Sequence, residues 1–173
     1  MRWNGAWGRL LGVAIAATVL VIPAPAAAQA PRAKVEAVFS TQSPGASAGR
    51  VENGDFIDPE NPGGKPHAVQ SVVLELAPGA VWNTDAIPQC SASDAQLMAA
   101  GPSACPAETK VGQGPVVVDT GFPGNNRNLN FDFTAFNAKD GLILLGREHQ
   151  SGSHIVVRGT ISGGRLEIHF PLA

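Results

Sequence analysis

Leu129-Asn-Phe-Asp-Phe-Thr-Ala135 alternates apolar and polar residues without a break, and Lys139-Asp-Gly141 then leads into Leu142-Ile-Leu-Leu-Gly146. A period of two marks a strand with one face on a core and the other in water. A strong turn between two such runs predicts an antiparallel pair. The second run departs from the alternation, because Leu142 to Leu145 is apolar at four consecutive positions. In a two-layer sheet either Leu142 and Leu144 or Ile143 and Leu145 then point away from the core, forgoing roughly 1.5 to 3 kcal/mol per side chain if left in water. Two covers are expected: a segment of the same chain, or a second molecule, whether a copy of this protein or a partner from the cell envelope.

Reading outward from this pair, strands are expected at Ala33 to Thr41, Val69 to Leu76, Pro115 to Thr120, Ser153 to Ile161 and Arg165 to Phe170, with a short piece at Val81-Trp82. Residues 44–66 are rich in Gly, Pro, Asn and Asp and read as a long loop that holds a short extended piece at Val51 to Phe56. Gly163-Gly164 fits a two-residue hairpin turn. That turn sets Ile161 opposite Leu166 and Val157 opposite Phe170 on one face, with Thr160 opposite Glu167 and Arg158 opposite His169 on the other. The apolar and polar sets separate cleanly, as a sheet with one solvated side requires. The fold class expected is all-β, an antiparallel β-sandwich of immunoglobulin-like or jelly-roll type, with one short helix.

That helix lies between the two cysteines of the chain, Cys90 and Cys105. Ser93 followed three residues later by Gln96 is a capping-box pattern, Ala95 to Ala100 favours helix, and Gly101-Pro102 supplies a stop. A disulfide across it closes a loop of about 15 residues, worth on the order of 3 kcal/mol in the chain-entropy model. Leu97 and Met98 are the helix's large apolar residues and are expected to cover the outer face of the leucine-rich strand.

The first 28 residues read as a signal peptide: Arg2 and Arg9 precede an apolar run from Leu10 to Ile22, and small residues lead to a cleavage site after Ala28. The run is shorter than the ~20 residues of a membrane span. Residues 29–173 are then one exported β-sandwich domain with no membrane span. Loss of the two leader arginines takes the formal net charge from −2 to −4, and only 15% of residues are charged. Such a chain lacks the clustered cationic surplus that nucleic acid demands. Export also places both thiols in an oxidising compartment, where a disulfide is the ordinary outcome.

Pro88-Gln-Cys90, Gly101-Pro-Ser-Ala-Cys-Pro106, Lys110-Val-Gly-Gln-Gly114 and Thr134-Ala-Phe-Asn137 resemble the segments of a group of exported β-rich proteins common in high-GC Gram-positive bacteria. The resemblance runs from about His67 to the C-terminus and is most specific around the two cysteines. This chain has Ala138 where members often place Gly after the Phe-Asn pair. The resemblance implies export, a disulfide and a β-rich domain; it brings no catalytic residues with it.

Motifs with chemistry are sparse. Asp55, Asp58 and Glu60 form an oxygen-rich stretch of the kind that binds calcium, but Phe56 and Ile57 break the EF-hand spacing. His149, His154 and His169 do not converge in the hairpin register, where Arg158 faces His169. No Gly-x-Ser-x-Gly elbow occurs, and Ser151, Ser153 and His154 are neighbours in sequence only. Trp82, with Asn128, Asn130 and Asp132, is the remaining ligand-binding set: an aromatic platform with directional polar groups suits a glycan. The chain is therefore expected to be a non-catalytic binding or interaction domain with no cofactor and no metal. Its expected partner is an envelope protein, a glycan or a second copy. A passive structural role and a hydrolase site assembled from loops stand as alternatives.

Overall fold

The computed structural model describes residues 32–43, 46, 48–61, 64–76, 78–122, 124 and 127–170. The expected signal segment and its cleavage site at Ala28 lie outside these residues. Among the described residues eight strands form two antiparallel sheets, with one α-helix and short 3-10 turns. β1 (Ala33–Phe39) pairs with β2 (Arg50–Phe56) as a separate two-stranded ladder. β3 (Ser71–Glu75), β4 (Lys110–Asp119), β5 (Asn128–Ala138), β6 (Gly141–Glu148), β7 (His154–Ser162) and β8 (Arg165–His169) form a six-stranded sheet in the order β3-β8-β7-β6-β5-β4. β4 to β8 make an unbroken meander of sequential neighbours, and β3 closes the far edge on β8. The layering fits a sandwich or half-barrel.

The local signals place the middle of each strand where the patterns put it, although β4 begins at Lys110, five residues before the expected Pro115. The Gly163-Gly164 turn sets Ile161 opposite Leu166 and Thr160 opposite Glu167, the expected register, with Gly163 at φ 60. Asp140, at φ 53, turns the chain between β5 and β6. Two expectations need correcting. Val81-Trp82 makes no strand, and the long loop at 44–66 is interrupted by a full seven-residue strand, β2, instead of a short extended piece. The loop reading missed its extent because Arg50-Val-Glu-Asn-Gly-Asp-Phe56 contains only two large apolar residues, and pairing with β1 supplies what intrinsic strand preference does not.

The leucine-rich strand buries both of its faces, and each has its own cover. On one face Ile143 and Leu145 pack with Phe136, Ala138, Leu97, Cys90 and Cys105. On the other, Leu142 and Leu144 pack beside Val157, Leu166 and Ile168, with Trp82 and Leu74. The first cover is the helix α1 (Asp94–Ala100), so the intramolecular cover expected for this strand is present. Ser93 caps it as read: its hydroxyl accepts from the Gln96 amide at 3.3 Å, and Gln96 Oε1 accepts from the Ser93 amide at 2.8 Å. Leu97 is 0% exposed, whereas Met98 is 48% exposed. The expectation that both residues face the sheet is thus half right, because neighbours on a helix point about 100° apart and only one can meet a flat surface.

Three devices pin α1 to the sheet. The Cys90–Cys105 disulfide spans it, with Cα atoms 5.3 Å apart. Arg158, from β7, donates to the Asp94 carboxylate at 2.8 Å and to the Ala92 carbonyl at 3.0 Å, holding the helix N-terminus. At the other end Gly101 adopts φ 62 and returns its N–H to the Leu97 carbonyl. A Cβ there would lie 2.9 Å from Nε2 of His154, so both the left-handed backbone and the close imidazole select glycine.

Candidate functional site

The two faces of the six-stranded sheet differ in chemistry. The helix-bearing face carries Lys110, Asp132, Arg147, His154, Arg158 and Glu167 around the helix. The opposite face, followed through the cross-strand register, reads Val118–Leu129, then Val116–Phe131–Glu148, then Gly114–Phe133–Gly146–Ile155. It continues as Gly112–Ala135–Leu144–Val157, then Asn137–Leu142–Gly159–Ile168–Val72, and ends at Ile161–Leu166–Leu74. Its two polar residues are both engaged within the chain. Asn137 is 4% exposed, and its Nδ2 donates to the carbonyls of Thr84, Ile87 and Pro88 at 2.8, 3.1 and 3.1 Å. The Glu148 carboxylate accepts from the amides of Gln150 and Ser151 in the β6–β7 turn at 3.0 and 2.6 Å. Those amides, with the Ser151 hydroxyl and the neighbouring His149, hold its pKa below the ordinary glutamate range against the opposing effect of burial.

This face is flattened, and its one ionisable side chain, Glu148, is taken up by the β6–β7 turn. A Cβ at Gly146 would lie 2.7 Å from the Phe133 ring, so the glycine is what lets the aromatic lie down across β6. Phe131 and Phe133 stand with ring centroids 5.8 Å apart. From outside the strands, Trp82 packs onto the Val157, Leu166 and Ile168 end, delivered by the segment that Asn137 anchors; Phe170 follows β8. Toward the β4 edge Val116 and Val118 are each 41% exposed.

The sequence-derived ligand residues are not brought together. Trp82 is half-buried on this apolar face, and its buried Nε1 has no hydrogen-bond partner among the described residues. Asn130 and Asp132 alternate onto the helix-bearing face, where His149 Nε2 lies 3.0 Å from Asp132 Oδ2. Asn128 begins β5 opposite Asp119. The glycan platform expected from these four is therefore divided between two sides of the sheet: Asn128, Asn130 and Asp132, two apart along β5, share the helix-bearing face, whereas the loop that carries Trp82 packs it on the other. The calcium candidates disperse as well. Asp58 accepts from the Glu60 amide at 3.0 Å, Glu60 lies 3.5 Å from Arg32, and Asp55 sits in β2 opposite Lys34. Among the described residues no three His, Cys, Asp or Glu side chains stand close enough to hold one ion.

The histidines separate in the same way. His169 pairs with Glu167 at 3.0 Å, His67 is 4.0 Å from Asp58, and His154 lies against Gly101. Ser151 Oγ accepts from the Ser153 amide at 3.1 Å, a local turn contact that brings no histidine to a serine. Sequence reading missed the apolar face as a unit. Each of its strands showed an apolar set, but the joining of those sets into one surface without free charge needs the strand order. Two cavities lie elsewhere. One, of about 380 Å³, sits at the base of the β1–β2 ladder between Phe56, Ile57 and Pro66 to Ser71; the other, of about 430 Å³, is beside the disulfide and is lined by Lys110, Thr134 and Phe136. No described helix is long and apolar enough to cross a membrane. Comparison with family models, curated proteins and solved structures yields no match.

Proposed function

We propose that this chain is an exported, non-catalytic interaction domain of the cell envelope or extracellular space that binds a partner through the exposed β4 end of the apolar face of its sheet. The observation that carries the reading is that face itself. Apolar side chains recur on it from β4 to β3, both polar side chains on it are engaged within the chain, Trp82 packs onto the Val157, Leu166 and Ile168 end, and Val116 and Val118 at the β4 end are each 41% exposed. The part of the face left exposed among the described residues, at the β4 end, is an apolar patch of the kind that marks an interaction site. The arginine-flanked apolar leader and the disulfide support export, and the dispersal of the histidines, serines and carboxylates into local contacts supports a binding role.

The test uses Val116→Asp with Val118→Asp, which puts two charges on the exposed end of the face and leaves the buried cores untouched. The full chain should retain a defined partner from an envelope extract, and the double variant should lose it while keeping its melting temperature within a degree or two. Retention of the same partner by the variant, or a glycan bound equally by both, would overturn the assignment to this face.

A further inference from the structure

The β1–β2 ladder presents apolar side chains to water on both sides. Val35 and Phe39 on one side, and Val38 and Val51 on the other, are each more than half exposed, and every residue of both strands is exposed. A two-stranded ladder on its own is marginally stable at best, and three or more strands are needed for independent stability. The outer edge of β1, Ala33-Lys-Val-Glu-Ala-Val-Phe39, pairs with no strand among the described residues and contains neither Pro nor Gly to blunt it. It is therefore open to another strand, and its charges decide which strand fits.

For two copies of β1 paired antiparallel about a two-fold axis, facing residues must point to the same side, so the axis passes through a residue. Centring on Lys34 sets two lysines against each other, and centring on Glu36 sets two glutamates together. Centring on Ala37 leaves both charges without an opposite. Centring on Val35 sets Lys34 of each copy against Glu36 of the other, twice by symmetry, and sets Ala33 against Ala37 on the apolar side. Lys34 already faces Asp55 across the ladder, so this register continues a row of alternating sign, Asp55, Lys34 and then Glu36 of the second copy. Opposite charges directly across a strand pair stabilise it, and like charges destabilise it.

We propose that the protein forms a homodimer by antiparallel pairing of β1 with β1 of a second copy, centred on Val35, which extends the ladder to four strands in the order β2-β1-β1-β2. This pairing uses a surface separate from the apolar sheet face and stands or falls independently of it.

The experiment is sedimentation equilibrium on the full chain at low salt. The wild type should dimerise, and added salt should weaken it. Lys34→Glu and Glu36→Lys each place like charges opposite one another twice, so each variant alone should dimerise at least tenfold more weakly. Mixed in equal amounts, the two should re-form dimers of mixed composition, since each introduced charge then meets its opposite; loss of folding could not be repaired by mixing. A wild type that stays monomeric up to ~100 μM overturns the pairing. So does a mixture no more dimeric than its parts. A dimer that dissociates only with Val116→Asp and Val118→Asp overturns it in favour of the sheet face.

Discussion

Replacing Leu97 with Ala should cost about 3 to 4 kcal/mol, and replacing its neighbour Met98 with Ala no more than about 0.5 kcal/mol. Leu97 is fully buried against Ile143, Leu145, Phe136 and the disulfide, so the change removes three carbons from a closed site. At about 0.8 kcal/mol per buried carbon the transfer contribution is about 2.4 kcal/mol. The unfilled cavity adds to it, because α1 is held at both ends by the disulfide and Arg158 and cannot settle into the space. Met98 is nearly half exposed and has far less to lose. Urea unfolding of the two single variants, followed by tryptophan fluorescence from Trp82, measures both. Equal costs, or a Leu97 cost below about 1 kcal/mol, would falsify the claim that the helix is the cover of Ile143 and Leu145.

Asn137→Asp places a carboxylate against three carbonyl oxygens in place of an amide that donates to them. Destabilisation of about 3 kcal/mol or more is expected, and hydrogen exchange should show Thr84 to Pro88 losing protection before the sheet does. For Glu148 the folded pKa is depressed, so its contribution is complete above the unfolded value near 4.3 and is lost as pH falls through the lower folded value. Glu148→Gln should therefore flatten the fall in stability between about pH 5 and 3, as read from urea midpoints at each pH; a curve parallel to the wild type would remove the turn amides as the cause.

Features that depend on neighbours in the chain were legible from the sequence alone. The alternation of Leu129 to Ala135, the Gly163-Gly164 register, the Ser93–Gln96 capping box and the stapled helix all appear as expected, since each rests on contacts within a few residues and little else competes for them. The apolar run at Leu142 to Leu145 announced two buried faces for the same reason. What covers each face was settled only by the tertiary structure. Leu97 and Met98 are equivalent in the sequence and become inside and outside only once α1 is fixed against β6 and β7. The alternation of Leu129 to Ala135 puts Asn137 on the apolar face, and only the fold brings up a segment about fifty positions earlier in the chain whose three carbonyls take its amide. β2 is too polar to declare itself and is a strand because β1 pairs with it. The binding surface shares this character. Single strands showed apolar sets, but their union into one apolar face, and the separation of Trp82 from Asn130 and Asp132, follow from the tertiary arrangement. Strand order is fixed by contacts between residues far apart in the chain, and no local preference encodes it.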